Sequence, residues 1–123
     1  MNFFSKPMHI FEPTPLQCGQ AALAMLLNRP IEEIIERCGT ERETTLADMF
    51  RVLEEYGVSF SRMRIAVQKK EQLPKICILS LETPRCWHWS LYYDGIFYDP
   101  EHGVLADFPE SRRRYYWEIF ETE

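Results

Sequence analysis

Apolar residues run almost unbroken from Ala21 to Leu27, and the stretch beginning at Gln17 is apolar nearly all round a helical wheel. That pattern predicts a helix buried on most sides. Pro30 suits the first position of a second helix, and Ile31, Ile34, Ile35 and Cys38 follow at helical spacing until Gly39 stops the run. A third helix is expected from Thr44-Thr45. Its stripe is Leu46, Met49, Phe50, Leu53 and Tyr56, and Gly57 suits the position after its end.

From Val58 the period changes to two. Val58, Phe60 and Met63 outline a first strand, and Ile76 to Leu81 reads as a buried one. Between them the polar run from Gln68 to Pro74 is a connection or a short helical turn. Trp87, Trp89, Leu91 and Tyr93 then alternate with His88, Ser90 and Tyr92, and a last strand is expected from Tyr115 to Phe120. Helices first and a meandering sheet afterwards predict an α+β domain. With 123 residues and no repeats or internal linkers, positions 1–123 are expected to form a single domain.

Asp94-Gly95 is a strong two-residue hairpin signal. The register it imposes pairs Tyr93 with Ile96, Tyr92 with Phe97, Leu91 with Tyr98 and Ser90 with Asp99. Paired residues share a face, and His88 lies two positions from Ser90. His88 and Asp99 are therefore diagonal neighbours on one face, at a backbone separation of roughly 7–8 Å. The aromatic rings of Trp87 and Trp89 point to the other.

That geometry gives the cysteines meaning. Cys18 stands where a Pro-containing loop enters the first apolar helix, so its thiol meets the unpaired N–H groups and positive end of that helix. Taken singly, each residue has a plainer role. Cys18 would be a core thiol, His88 a packed strand residue, and Asp99, before Pro100, a turn former. Together they form a nucleophile, a general base and a group that orients the base.

Composition narrows the alternatives. Hydrophobic residues make up 46% of the chain and aromatics 14%, enough for a folded core. A net charge of −5 argues against a nucleic-acid binder, and the run Arg112-Arg113-Arg114 lies among acidic and aromatic residues as a solvated turn. No stretch approaches the ~20 apolar residues of a membrane span, and Met1 to Pro7 lacks the features of a secretory signal. Cys18, Cys38, Cys77 and Cys86 form no Cys-x-x-Cys pair, so reduced thiols and a cytoplasmic location are expected. A zinc site built on Cys86 and His88 has no recognised ligand spacing, and neither metal nor cofactor is expected.

Three pieces of the chain resemble the papain-like cysteine peptidases of the C39 group, the bacteriocin-leader-processing proteases and their relatives. They are Cys18-Gly19-x-Ala21-Ala22-Leu23-Ala24-Met25, His88-Trp89-Ser90-Leu91, and Tyr98-Asp99-Pro100 followed by Gly103. The resemblance extends through Leu105 and Phe108 to Trp117. It implies a papain-like fold in which the nucleophile helix packs on a C-terminal antiparallel sheet, with catalytic Cys18, His88 and Asp99. It also implies cleavage of an amide bond in a peptide or protein substrate, typically after Gly-Gly in the leader proteases.

One position departs from that family. Its members usually carry a Gln about six residues before the Cys, whose amide helps form the oxyanion hole. Here that residue is Glu12, which when ionised has no proton to donate. Gln17, where the family often has Asp, and Gln20 are the other candidate donors. The expected function is thiol hydrolysis of a peptide or side-chain amide through a thioester. Glutamine deamidation or acyl transfer would use the same triad, and Glu12 favours a different class, a catalytically weak domain that binds a peptide or protein. The sequence gives no oligomeric state.

Overall fold

The computed structural model describes residues 4–121 as three helices and an antiparallel sheet of seven strands, an α+β arrangement. Helix α1 spans Cys18–Leu27, and its residues from Cys18 to Leu26 are all buried, as its nearly continuous apolar surface requires. It ends at Asn28, which takes the left-handed conformation (φ 54°). Helix α2 spans Ile31–Cys38, and Gly39 at φ 73° closes it. Pro30 sits one position earlier than its expected place inside the helix. Its ψ of 141° is extended, so it caps the helix instead of opening it.

Helix α3 spans Leu46–Glu55. Thr45 and Asp48 form a capping box there. The Asp48 N–H donates to Thr45 Oγ1 (3.1 Å), and the Thr45 N–H donates to Asp48 Oδ2 (3.0 Å). Gly19 in the first turn of α1 lets this part of the molecule close. A Cβ on Gly19 would lie 2.0 Å from Thr44 Oγ1 and 3.0 Å from the Trp89 ring, so the helix fits only without a side chain there.

The strands are β1 (Ser59–Phe60), β2 (Ile65–Ala66), β3 (Ile76–Glu82), β4 (Trp87–Tyr93), β5 (Ile96–Asp99), β6 (Gly103–Leu105) and β7 (Arg114–Phe120). Their order is β1-β7-β3-β4-β5-β6, with β2 also pairing β7. The strand expected over Val58–Met63 is only the two-residue β1, and β2 lies beyond it. Phe60 pairs with Ile119 and Ile65 with Tyr116, and the chain leaves the ladder between them. Strand β7 begins at Arg114, one residue early, because the Val67 N–H donates to the Arg114 carbonyl (3.0 Å). Three-residue β6 is too short to announce itself by alternation.

Alternation divides the sheet's contacts between two cores. Ile76, Ile78, Leu91, Tyr98 and Ile119 pack with residues of all three helices. Cys77, Leu79, Leu81, Tyr92 and Phe97 form a smaller core with Leu73, Leu105, Phe108 and Tyr116. Each fully buried Leu, Ile or Phe contributes about 1.5–3 kcal/mol of transfer free energy. The hairpin register is the one Asp94-Gly95 dictates: Tyr93 opposite Ile96, Tyr92 opposite Phe97, and Leu91 opposite Tyr98. Asp94 (φ 46°) and Gly95 (φ 92°) both have positive φ, the signature of a type I′ turn.

Candidate active site

Strand β5 stops at Asp99, while β4 runs on to Trp87 in the opposite direction. Continued two steps beyond Leu91 and Tyr98, the hairpin register would set Trp89 opposite residue 100. That residue is Pro100, whose carbonyl instead accepts the Glu12 N–H (2.8 Å). The Trp89 N–H is left without a ladder partner on that side, and it donates to Cys18 Sγ (3.4 Å). The start of α1 thus fills the gap left by the strand.

His88 and Asp99 meet as the register predicts. The His88 Nε2–H donates to Asp99 Oδ1 (3.0 Å), and the Ser90 hydroxyl donates to Asp99 Oδ2 (2.8 Å). His88, Ser90 and Asp99 are all buried. The Cys18 sulfur lies near enough to the His88 ring to raise its pKa, and both side chains line one cleft. With Nε2 committed to Asp99, Nδ1 is the ring nitrogen left for proton exchange.

Electrostatics favour a charged His88 beside a charged Asp99. Burial alone would lower the His88 pKa, but Asp99 and the Cys18 sulfur outweigh it and raise the value to about 10. Burial likewise works against an ionised Asp99. The hydrogen bond and charge of His88, with the Ser90 hydroxyl and the Glu101 N–H, overcome it and hold the carboxyl well below the usual range. Burial pushes Cys38 up to about 11 and Cys77 well above its ordinary value, whereas Cys86 is exposed.

Two further histidines, not singled out by the sequence pattern, converge on Asp99. His102 Nδ1–H donates to Asp99 Oδ1 (2.9 Å), and His9 Nε2–H donates to the Asp99 carbonyl (2.7 Å). All three histidines of the chain therefore touch one aspartate. The signal for His102 was local. Asp99 Oδ1 also accepts the N–H groups of Glu101 and His102 (both 3.0 Å), the side-chain turn that an Asp-Pro-x-His sequence favours. His9 has no such signal, because it arrives from 90 residues away. His88 Nε2, Asp99 Oδ1 and His102 Nδ1 lie within 4.8 Å of one another, close enough to share a metal ion. Their mutual hydrogen bonds already account for the arrangement.

The oxyanion-donor candidates separate. Gln20 is fully buried on another side of α1, two residues or about 200° round the helix from Cys18. Its Nε2 donates to the carbonyls of Thr40 (3.2 Å) and Arg42 (2.7 Å), which removes it as a donor at the thiol. Gln17 caps α1 without a side-chain hydrogen bond, and its Oε1 is buried without a partner. Glu12 also has a buried, unpartnered Oε1. Burial raises its pKa; nearby His88 opposes that shift, and Glu101 and Asp99 add to it. Among the described residues the backbone N–H groups of Cys18 and Gly19 have no acceptor, as expected in a first helical turn.

Beside Cys18 lies a cleft of about 330 Å³, lined by Leu16, Thr44, Ser80, Trp87, His88 and Trp89 among others. Among the described residues no helix is long and apolar enough to cross a membrane. No protein-family model and no curated protein matches the chain.

Proposed function

We propose that the protein is a papain-like thiol hydrolase that cleaves a peptide or side-chain amide bond through Cys18, His88 and Asp99. The observation that carries this reading is the buried His88–Asp99 hydrogen bond, with His88 and Cys18 lining one open cleft. The sequence resemblance to the C39 peptidases supports it. Cys18 Sγ, its proton already held on the His88 ring, attacks the amide carbon as a thiolate. His88 then protonates the leaving nitrogen as the C–N bond breaks, leaving a thioester. His88 next takes a proton from water, whose oxygen attacks the thioester. Acid is released and the thiol restored. Asp99 orients the ring and stabilises the imidazolium throughout. The unpaired backbone N–H groups at the start of α1 would serve as donors to the oxyanion.

Glu12 favours a second reading, a weakly catalytic domain of the same fold that binds a peptide. A neutral Glu12 can donate to the oxyanion, whereas an ionised one opposes it. One experiment separates the two. Mass spectrometry of a peptide mixture incubated with the protein should show cleaved or deamidated products that vanish with Cys18→Ala and fall at least ~100-fold with His88→Ala. Iodoacetamide should label Cys18 faster than exposed Cys86, and His88→Ala should remove that advantage. Turnover that survives Cys18→Ala overturns the hydrolase reading. Selective labelling without any turnover supports the binding domain.

A further inference from the structure

The cleft at Cys18 continues along the sheet. Ser80, which lines it, is the cross-strand partner of Trp89 on β4 and of Tyr115 on β7. One row across the sheet therefore reads aromatic, small, aromatic, and the serine leaves a dip between two rings. Trp87, also in the cleft, stacks on Tyr115 with ring centroids 6.1 Å apart and planes at 25°. Trp87 is 48% exposed, whereas Leu91 and Ile78 farther along the same face are buried beneath the helices.

Guanidinium groups close this aromatic shelf at both ends. Arg113 lies 5.5 Å from the Trp87 ring centre and Arg64 lies 4.3 Å from that of Tyr115. Arg113 is paired with Glu82 (2.8 Å), and neighbouring Arg62 is paired with Glu54. Among the described residues Arg64 makes no ion pair, although the chain as a whole carries a net charge of −5. A guanidinium lying on an aromatic ring uses its face and keeps its N–H edge free. That edge is the geometry that grips a carboxylate with two hydrogen bonds.

We infer that this shelf is a subsite for an acidic side chain of an extended peptide bound at Cys18. The inference rests on the reading of that cleft as the place of reaction. Its reach can be stated. Trp89, whose N–H touches Cys18, and Tyr115, beneath Arg64, are two strands apart. That is about 10 Å at ~4.8 Å per strand, and an extended peptide advances ~3.3 Å per residue. The acidic residue therefore sits about three positions from the bond attacked.

Capped decapeptides of Gly, Ala and Ser test this, each carrying a single Glu, Gln or Lys three positions from a central residue. Binding to the Cys18→Ala protein is read by tryptophan fluorescence, so it does not depend on turnover. The Glu peptide should bind about 3–10-fold more tightly than the Gln peptide, and Lys most weakly. The preference should narrow as salt rises. Arg64→Gln, checked for an unchanged melting temperature, should erase the Glu preference and leave Gln binding intact. A Glu preference that survives Arg64→Gln, an equal loss for all three peptides, or no binding at millimolar concentration overturns the subsite. Wild-type turnover without a Glu preference overturns the subsite alone. A Glu preference without turnover overturns the hydrolase reading and leaves an acidic-peptide site.

Discussion

Under the proposed hydrolase reading, Glu12 is the residue on which catalytic strength turns. Its backbone is fixed by the bond to Pro100, and its buried Oε1 has no partner. Burial raises its pKa, which extends the pH range over which it is a neutral acid able to donate. Wild-type activity should therefore fall as pH rises through the Glu12 pKa. Glu12→Gln keeps a donor at every pH, so it should remove that fall. Above the pKa it should raise turnover by ~10-fold or more, toward the ~10²–10³ that a single oxyanion donor contributes elsewhere. A pH–rate profile of the two proteins on one substrate decides the matter, and identical profiles would make Glu12 a bystander. Little of this was legible beforehand. Spacing located Glu12, but its protonation depends on burial that only the fold supplies. The meeting of His88 with Asp99, by contrast, followed from counting residues across a two-residue turn.

At the scale of elements, the hairpin and α1 were readable because each carries a local rule: positive φ at Asp94-Gly95, and an unbroken apolar surface after Cys18. Their junction was not. That the Trp89 N–H is freed by the early end of β5, and taken up by Cys18, depends on where Pro100 sends the chain. Gly19 marks the same junction and gives a direct test. In an ordinary helix interior Gly→Ala is stabilising by roughly 0.5–1 kcal/mol. Here the new methyl would lie 2.0 Å from Thr44 Oγ1, on a buried residue. Gly19→Ala should thus destabilise by about 1–3 kcal/mol, the usual cost of overpacking. Thr44→Ala removes the clashing atom, so the double variant should be more stable than additivity allows. Denaturant midpoints of the four proteins check the cycle, and strict additivity would show that α1 is free to shift.

Across the whole molecule, Asp99 is where distant parts of the chain are tied together. The N-terminal segment reaches it through His9, β4 through His88 and Ser90, and the turn after β5 through Glu101 and His102. The same segment joins the far end of the chain, where the Phe4 N–H donates to the Glu121 carboxylate (3.0 Å). Such long-range closure is invisible to periodicity, since no pattern of i, i+2 or i+4 links residue 9 to residue 99. It makes the protonation of the His88–Asp99 pair a matter of global stability. Asp99 has a lowered pKa, so its contribution is present above the unfolded value near ~3.9 and is lost as pH falls through the folded one. His88 has a raised pKa, so its contribution is full below ~6.5 and is lost as pH rises toward about 10. Asp99→Asn keeps the shape but removes the charge that both shifts require. The melting temperature of the wild type should exceed that of Asp99→Asn most between about pH 4 and 6.5. The gap should shrink steadily toward pH 10, and again in stronger acid. A gap that stays constant from pH 5 to pH 10 would mean that Asp99 holds the chain through neutral hydrogen bonds and that His88 carries no charge in the folded protein.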